Sequence, residues 1–485
     1  MVFQALKPDK GLLKRLKDSF SGLAQCEELD LKHAYRMDIK KIRLPLKNYP
    51  IQLNIGSDAT HALHIYPERQ INDKQQDTLV DRYIIYNPKS YFKEISGFFR
   101  LDSGDKLIIG RNQDGQNNIL KLAEDIAGRH LSITNNKGSL VFKCLDTERG
   151  ACISPLIKTK DLNRINKWRF AKLKRLRAIY GGSITSLPPE NALDLIRKIN
   201  GIMQDEVNRP KDKEGNPGGI LAIPPNTIPF LVGDLHTKAD NLLVILSHNG
   251  FLEALKKGRA CLVILGDAVH SEEDGQLEKM QSSMLIMDLI FKLKLRFPKQ
   301  VFYLRGNHDS FSEEIGKRGV PQGLIWERAL IKFRGESYRD EMQRFYHLLP
   351  YIAYSDHFIA CHAAPPTSRV CFSDLVNIRN NPSLANQLIN NRLRKPNKPS
   401  GYFKREIKNF RKCMRVSPDT PVIVGHTPLS NDDTLWEKAG DIENHTIIYG
   451  SDDKWVGVIT QIDKQMYPLR YPTEPLIPLI NAIET

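Results

Sequence analysis

The sequence lacks disulfide spacing, long apolar runs and a secretory leader. Its seven cysteines are scattered and never spaced as CxxC, so they indicate reduced thiols of a cytosolic protein. No apolar run approaches the ~20 residues that cross a bilayer. The first residues, MVFQALKPDKGLLKRLKDSF, contain neither a long apolar core nor a small-residue cleavage site. We therefore expect a cytoplasmic protein without a transmembrane segment.

Acidic residues are also in deficit, with 56 Asp and Glu against 71 Lys and Arg and a net charge of +15. Such an excess suits an acidic partner, whether nucleic acid, an anionic membrane or a phosphorylated ligand, but it is equally compatible with a basic proteome. The apolar content of 41% is ordinary for a globular protein. A chain of 485 residues is long enough for about two or three domains.

Five short apolar runs each end in a polar cluster. The clusters are Gly233-Asp234-Leu235-His236, Gly266-Asp267-Ala268-Val269-His270, Arg305-Gly306-Asn307-His308-Asp309, His362-Ala363-Ala364 and Gly425-His426-Thr427-Pro428. Apolar runs of roughly four to eight residues are typical of buried parallel strands. Open α/β sheets place ligand crevices at the carboxyl ends of such strands. We therefore expect these polar side chains to lie at one edge of the fold.

The residue types in these clusters point to metal chemistry. Carboxylate, amide and imidazole ligands together suit Mn, Fe or Zn. Two ions that share one carboxylate can activate a bridging water for attack on a phosphoester. The pattern therefore predicts two divalent metal ions, most plausibly Mn, with Fe and Zn as alternatives, and a phosphoester hydrolase.

The motifs GDLH, GDAVH, LRGNHD, CHAA and VGHTP resemble the calcineurin-like metallophosphoesterases, and within them the phosphoprotein phosphatase branch, over residues 226–465. The resemblance implies a catalytic α/β sandwich flanked by helices. It implies that Asp267 bridges the metals and that His308 is the general acid that protonates the leaving oxygen. The metal ligands implied are Asp234, His236 and Asp267 for one ion and Asp267, Asn307, His362 and His426 for the other.

Two features distinguish this sequence within the resemblance. The last motif supplies one histidine, whereas nuclease-like members end in Gly-His-x-His, so a nucleic acid substrate is not expected. Where phosphoprotein phosphatases carry Asp-Arg after the second motif, this chain has His270-Ser271, followed by Glu272. The pattern GDxVHxE resembles the divergent branch that includes the Wip effector phosphatases of Legionella. We therefore place His270 and Glu272 in the catalytic set, with Glu272 as the support of His308.

A phosphate-binding arginine is not evident in the motifs themselves. Arg392 and Arg394 follow the fourth motif, and we favour Arg394 for this role, with a loop charge as the alternative.

Residues 48–156 contain short alternating strands typical of a β-sandwich. Lys106–Arg111, Ile126–Ile133 and Asp146–Gly150 resemble the forkhead-associated (FHA) domain. The resemblance implies that Arg111 binds a phosphothreonine peptide and that His130 is a scaffold residue. Ala127 stands where that family has a phosphate-binding serine, and Arg149 falls near its asparagine. A spacer or docking module is the alternative.

These patterns predict an α/β protein in four parts: an N-terminal extension (1–47), an FHA-like sandwich (48–156), a basic helical linker (157–225) and a catalytic domain (226–485). The favoured function is a metal-dependent phosphatase that acts on phosphorylated proteins, either in its own cytoplasm or as a bacterial effector secreted into a host cytosol. The alternatives are a small-molecule phosphoesterase, such as a dinucleoside polyphosphate hydrolase, and a phosphopeptide-binding pseudoenzyme scaffold.

Overall fold

The computed structural model divides the chain into two compact units, Met1–Trp168 and Arg169–Thr485. The residues it describes are 26–37, 41–56, 61–71, 77–87, 98–110, 126–146, 148–156, 159–248, 250–363, 365–395, 400–430, 433–462 and 464–483. Arg111, the predicted phosphothreonine-binding residue, lies outside them. Among the described helices, none is long and apolar enough to cross a membrane.

The first unit is a β-sandwich. Its strands are β1 (Cys26–Glu28), β2 (Tyr35–Met37), β3 (Lys41–Leu44), β4 (Ile51–Ile55), β5 (His61–Ile71), β6 (Asp77–Tyr86), β7 (Phe98–Leu101), β8 (Lys106–Ile109), β9 (Leu131–Asn136), β10 (Ser139–Cys144) and β11 (Ala151–Pro155). One sheet has the order β1-β3-β10-β9-β8, and the other has the order β2-β11-β4-β5-β6-β7. Side chains of both sheets share one apolar core, which confirms the predicted sandwich.

The sandwich includes strands from the region that the sequence analysis assigned to an N-terminal extension. Strand β3 pairs with β10 in antiparallel register, Ile42 opposite Phe142. In β3 the sequence Lys-Ile-Arg-Leu alternates, so Ile42 and Leu44 are buried while the lysine and arginine lie outside. The lysine-rich composition of this region concealed a half-buried strand of only four residues.

The predicted linker is likewise integrated into folded structure. Helix α1 (Thr159–Tyr180) crosses the boundary between the units, and α2 (Pro189–Gln204) buries one apolar face. Beyond the boundary, the Lys172 ammonium donates to the Ser247 carbonyl at 3.1 Å. Strand β12 (Ile220–Ala222) pairs with a strand of the catalytic sheet, so that sheet begins before residue 226.

The second unit contains two further sheets and the remaining helices. Its other strands are β13 (Ile228–Val232), β14 (Ala260–Ile264), β15 (Val301–Tyr303), β16 (Ile352–Ser355), β17 (Phe358–Cys361), β18 (Val422–Val424), β19 (Leu435–Glu437), β20 (His445–Ile448), β21 (Trp455–Ile462) and β22 (Gln465–Pro472). Its other helices are α3 (Ala239–Ser247), α4 (Phe251–Lys256), α5 (Gln281–Arg296), α6 (Gln322–Arg334), α7 (Glu336–Leu348), α8 (Phe372–Val376), α9 (Pro382–Asn390), α10 (Lys404–Cys413) and α11 (Leu476–Asn481).

These sheets form an α/β sandwich whose layers follow from strand periodicity. The orders are β12-β16-β17-β18-β20-β19 and β15-β14-β13-β21-β22. In β18, Ile423 belongs to the core between the sheets, whereas Val422 and Val424 belong to the core beneath the outer helices. Strands buried on both faces appear as continuous apolar runs, which is why they were recognisable in the sequence. The predicted α/β fold class is confirmed.

Candidate metal centre and catalytic cavity

The polar clusters converge because their strands run in parallel. Strand β13 pairs in parallel with β14, β14 with β15, and β17 with β18. Their carboxyl ends therefore lie at one edge of the sandwich. The structure brings together there the side chains of Asp234, Asp267, His362 and His426, whose nearest ligand atoms lie within 4.8 Å of one another.

His362 lies at the centre of this group. Its Nε2 is 2.9 Å from Asn307 Oδ1, 3.2 Å from Asp267 Oδ2 and 3.2 Å from His426 Nδ1. A second group, His236, Asp267 and His308, also has ligand atoms within 4.8 Å of one another. Asp267 belongs to both groups, as a bridging carboxylate would, although Asp234 falls in the first group and His308, the predicted acid, falls in the second. The six predicted ligands are thus brought together.

Glycines in the motifs allow this crowding. A Cβ atom on Gly306 would lie 2.1 Å from Asp267 Oδ1, and one on Gly425 would lie 2.4 Å from Asp234 Oδ1. Any side chain at these two positions would displace a carboxylate. Glycine is therefore required for steric reasons before Asn307 and before His426.

Several site residues also adopt a left-handed backbone. The φ angles are +38° at His236, +51° at Asp267, +65° at His270 and +65° at His426. Such conformations cost on the order of 1–3 kcal/mol each in non-glycine residues and concentrate at functional sites. In this protein the strained residues are therefore residues of the site itself.

Hydrogen bonds orient the imidazoles so that Nε2 faces the cluster. His362 Nδ1–H donates to the Leu265 carbonyl at 2.8 Å, and His236 Nδ1–H donates to the His270 carbonyl at 3.0 Å. Each bond leaves the Nε2 lone pair available, as metal-binding histidines require. His426 Nε2 is buried and has no hydrogen-bond partner within the described residues. His426 differs from the other two histidines because its Nδ1 faces the cluster, 3.2 Å from His362 Nε2.

The electrostatics of the cluster also suit cations. Burial raises the pKa of Asp234 to about 6, and the neighbouring Asp267 carboxylate adds to the effect. Burial opposes the charged form of His362, yet the carboxylates of Asp267 and Asp234 raise its pKa to about 9. Closely packed carboxylates with imidazoles create a field that stabilises positive charge. Oxygen and nitrogen donors of this kind fit Mn, Fe or Zn.

His270, rather than Glu272, contacts the predicted general acid. His270 Nδ1 lies 3.0 Å from His308 Nδ1, and the His270 ring packs edge-on against Trp326. The His308 backbone N–H donates to Asp267 Oδ1 at 2.8 Å, which ties the acid to the bridging carboxylate. Burial lowers the pKa of His308 to about 4.

Glu272 faces a different side of the site. It accepts a hydrogen bond from the Tyr449 hydroxyl, pairs with Lys317 at 2.7 Å and lies 3.7 Å from His236 Nε2. Glu272 was predicted to support His308 because it is the nearest carboxylate in sequence to His270. The turn after β14 instead directs His270 to the acid and Glu272 toward His236.

Sequence reasoning missed Asp309, which shapes the loop that carries Asn307 and His308. Its Oδ2 accepts the Gly306 N–H at 2.7 Å, and its Oδ1 accepts the Tyr303 hydroxyl at 2.7 Å. Burial raises the pKa of Asp309 to about 6, with the Asp267 charge adding to the shift. The signal was present, since a carboxylate beside a turn commonly accepts local backbone N–H groups.

A cavity of about 450 Å³ opens over the cluster. Arg392 lines it and donates to Thr427 Oγ1 at 3.2 Å. Arg394, the arginine favoured from sequence, is not among the lining residues; its guanidinium donates to the Gly401 carbonyl at 3.2 Å. Arg392 and Arg394 lie on an irregular segment and point to different sides of it. The sequence alone did not show which of the two faces the cavity. Further lining residues are Lys238, Glu273, Lys317, Tyr449 and Asp453.

In the first unit, the described part of the FHA-like motif is a scaffold. His130 is buried, with Nε2 2.6 Å from the Gly150 carbonyl and Nδ1 3.4 Å from Asp146 Oδ2. Arg149, near the position of the family's asparagine, pairs with Asp146 at 3.3 Å. Ala127 is half-buried and offers no hydroxyl. These contacts hold the loop together.

Comparison with known proteins found one matching family and similar solved structures. Residues 230–450, which lie within the second unit, match the sequence model of the calcineurin-like phosphoesterase family. Among solved structures, the chain is similar to a protein serine/threonine phosphatase from Saccharomyces cerevisiae that has similarity to human phosphatase PP5. That likeness has a TM-score of 0.45 and 15% sequence identity, and covers 62% of this chain and 91% of that one. No curated protein matches the sequence.

Proposed function

We propose that this protein is a metal-dependent phosphatase that hydrolyses phosphomonoesters on proteins. The observation that carries the proposal is the position of Asp267, which belongs to both groups of ligand atoms at one strand-end edge. A shared carboxylate between two donor groups is the hallmark of a two-metal hydrolytic site. The match of residues 230–450 to the calcineurin-like phosphoesterases supports the same chemistry.

The family resemblance, together with the proximity of these side chains, supports the following assignment of ligands. Asp234 and His236 would hold one divalent ion, Asn307, His362 and His426 would hold the other, and Asp267 would be shared between them; Mn is the metal we favour, ahead of Fe and Zn. When bound, such a pair supplies an activated water and neutralises charge on the phosphate. The Nδ1 hydrogen bonds of His236 and His362 keep these ligands oriented.

The chain itself supplies the proton and holds the phosphate. His308, fixed through its backbone to Asp267, donates a proton to the leaving oxygen, and His270 orients its ring from 3.0 Å away. Arg392 is the guanidinium on the cavity wall and binds the phosphate oxygens, for which its planar fork is suited. This replaces the role that the sequence analysis gave to Arg394.

Two features of the chain bear on the substrate class: the residues after the second motif and the FHA-like sandwich. His270 and Ser271 replace the Asp-Arg pair, so one long side chain is absent beside the phosphate. This departure, shared with the Wip-like pattern, supports hydrolysis of phosphotyrosine beside phosphoserine and phosphothreonine. The FHA-like sandwich, if it binds phosphothreonine peptides through Arg111, would recruit phosphoproteins in a host or native cytosol.

A second candidate is a small-molecule phosphoesterase, such as a dinucleoside polyphosphate hydrolase. It is favoured by Lys238, Lys317 and Arg392, which line the cavity; to bind consecutive phosphates, the two lysines would exchange their present carboxylate partners for phosphate oxygens. A pseudoenzyme scaffold is not supported, because every predicted ligand and His308 are in place.

A substrate panel separates these functions. The purified chain is assayed with Mn against p-nitrophenyl phosphate, phosphoserine, phosphothreonine and phosphotyrosine peptides, and a dinucleoside polyphosphate. The proposal expects metal-dependent turnover of p-nitrophenyl phosphate and of the peptides. Turnover of the dinucleotide with none of the peptides would select the small-molecule function, and no turnover with any metal would reject both.

A further inference from the structure

A second cavity, of about 330 Å³, lies between the segment after His362 and the end of α10. We call it the basic cleft and define it by three cations and three apolar side chains. These are Arg369, Lys412 and Arg415 with Val370, Phe372 and Phe410. The three cations are all exposed, so the cleft opens to solvent with positive charge around it.

The cations of the basic cleft are not paired with acidic side chains of the described residues. Within the part of the chain that the structure describes, Arg369, Lys412 and Arg415 form no ion pair. Arg411, on the same helix, behaves differently: it is buried and donates to the Thr420 carbonyl at 2.7 Å and the Asn444 carbonyl at 3.0 Å. Arg411 thus binds the fold, whereas Lys412 and Arg415 are exposed and form no ion pair within the described residues.

The surrounding sequence concentrates the positive charge of the molecule. Residues 366–415 contain twelve Lys and Arg but only two acidic residues, whereas the whole chain has a net charge of +15. Both acids accept backbone N–H groups at helix starts. Asp374 accepts the Cys371 N–H at 2.9 Å at the start of α8, and Glu406 accepts the Phe403 N–H at 2.9 Å at the start of α10.

The cleft adjoins the catalytic edge through its own chain segments. Its first lining residue, Pro366, follows the ligand His362 by four positions. The Asn391 side-chain amide donates to the Pro365 carbonyl at 3.0 Å, and the next residue, Arg392, lines the catalytic cavity. The chain segment that enters the basic cleft is therefore hydrogen-bonded to the segment that presents Arg392.

We propose that the basic cleft docks an acidic segment of the phosphoprotein substrate. Carboxylates of that segment pair with Arg369, Lys412 and Arg415, and an apolar side chain between them packs on Val370. The inference rests on the proposed function and specifies its substrates: phosphoproteins with acidic residues flanking the phosphorylated one. Charge complementarity of this kind favours encounter and selects among partners.

The cleft suits a peptide better than a nucleic acid. Phe372 packs against Tyr354, with ring centroids 6.0 Å apart, and Arg415 covers it at 5.8 Å. Phe410 is buried. Binding of single-stranded nucleic acid depends on aromatic faces that are free to stack on bases, and these two aromatic side chains are already occupied.

The test uses the full-length protein and a fluorescein-labelled, unphosphorylated peptide that alternates Glu with Leu. Reversal of all three charges (Arg369→Glu, Lys412→Glu, Arg415→Glu) should weaken its binding about tenfold or more, and added salt should weaken the wild-type complex. The matched control reverses Lys257, Arg296 and Lys299, which are exposed and precede the amino ends of β14 and β15. It should bind the peptide as the wild type does.

Kinetics extend the test to the catalytic reaction. The cleft variant should raise KM about tenfold for a phosphopeptide with Glu on both flanks, and leave kcat/KM for p-nitrophenyl phosphate within about twofold. Equal binding of the peptide by wild type and cleft variant overturns the inference, as does tighter binding of single-stranded RNA than of peptide at the cleft. Failure of the proposed function looks different: no phosphopeptide is hydrolysed, while the binding measurement still reports on the cleft.

Discussion

Asp267 accepts the His308 backbone N–H at 2.8 Å and also lies 3.2 Å from His362, so one carboxylate contacts both halves of the site. We expect Asp267→Asn to lower kcat/KM for p-nitrophenyl phosphate at least ~10²-fold, because it weakens both metal sites at once. Activity and bound metal should be measured together. Asp356→Asn, in the exposed turn between β16 and β17, is the matched control. Full activity of the Asp267 variant after chelation would end the two-metal proposal.

His308 should act as an acid and not as a ligand. His308→Asn is expected to lower the rate for phosphoserine by ~10²–10⁴ while bound metal stays unchanged. The loss for p-nitrophenyl phosphate should be smaller, because its leaving group needs little protonation. Steady-state rates on both substrates check the prediction, and equal losses on the two would count against an acid role.

His270 is predicted to position His308 through their 3.0 Å contact. His270→Ala should reduce turnover of phosphoserine about tenfold and of p-nitrophenyl phosphate less, whereas His270→Asn, whose amide can reach the same place, should restore part of the loss. The double variant with His308→Asn should be no worse than His308→Asn alone, since both residues act through one proton donor.

Glu272→Gln is the informative comparison for that prediction. Since Glu272 contacts Tyr449 and Lys317, its loss should leave the dependence on the leaving group unchanged. If the Glu272 variant instead shows the leaving-group pattern and the His270 variants do not, the support of His308 has been misassigned.

At the scale of secondary structure, Glu206 connects the end of α2 to the catalytic unit. It forms buried ion pairs with Lys294 of α5 and with Arg209, and burial lowers the pKa of both cations. Glu206→Ala should destabilise the second unit by roughly 3–5 kcal/mol, because two buried cations lose their anion.

The control for Glu206 lies on the same helix. Asp194 and Lys198 form an exposed pair one turn apart, and Asp194→Ala should cost about 1 kcal/mol or less. Urea unfolding followed by fluorescence of the buried Trp326 measures both variants. Similar losses in the two would show that α2 is not held by the buried network.

For the whole molecule, buried neutral histidines predict a loss of stability in acid. Burial lowers the pKa of His445 to about 4, and its ring lies 2.8 Å from the Tyr402 hydroxyl and 2.9 Å from the Val422 carbonyl. The unfolded chain binds this proton near pH 6.5, so the stabilisation is complete above that pH and is lost as pH falls toward 4.

The measurement is the free energy of unfolding between pH 7 and pH 4. His445 should contribute on the order of 3 kcal/mol to its decline, and His445→Gln should flatten the curve, because the amide retains an acceptor for Tyr402 but takes up no proton. His357→Gln, in the turn before β17, is the control. An unchanged pH slope in the His445 variant would contradict the assignment.

The first unit carries its own prediction. If Arg111 binds phosphate, residues 26–156 within the full chain should bind phosphothreonine peptides weakly, because Ala127 supplies no hydroxyl. Titration of wild type and Arg111→Ala with phosphorylated and unphosphorylated peptides is the check. Indistinguishable affinities would leave this unit as a docking or spacer module.

Much of this protein was determined by local sequence alone. Buried parallel strands such as Pro229–Val232 appear as continuous apolar runs, and the polar residues that follow them must lie at the strand ends. That logic placed Asp234, Asp267 and His426 at one edge without any coordinates. It depends only on interactions between residues near in sequence and on the rule that parallel strands share an orientation.

Only the tertiary structure decided which side chains touch. His270 and His308 are 38 positions apart, and their contact depends on the left-handed turn at His270. Arg392 rather than Arg394 reaches the cavity because of the path of an irregular segment. Strand β3 was not predicted, because it lies in a lysine-rich region and forms by pairing with the distant strand β10. In each case, contacts between residues distant in sequence stabilise the observed arrangement over its alternatives. A local sequence pattern does not contain these contacts.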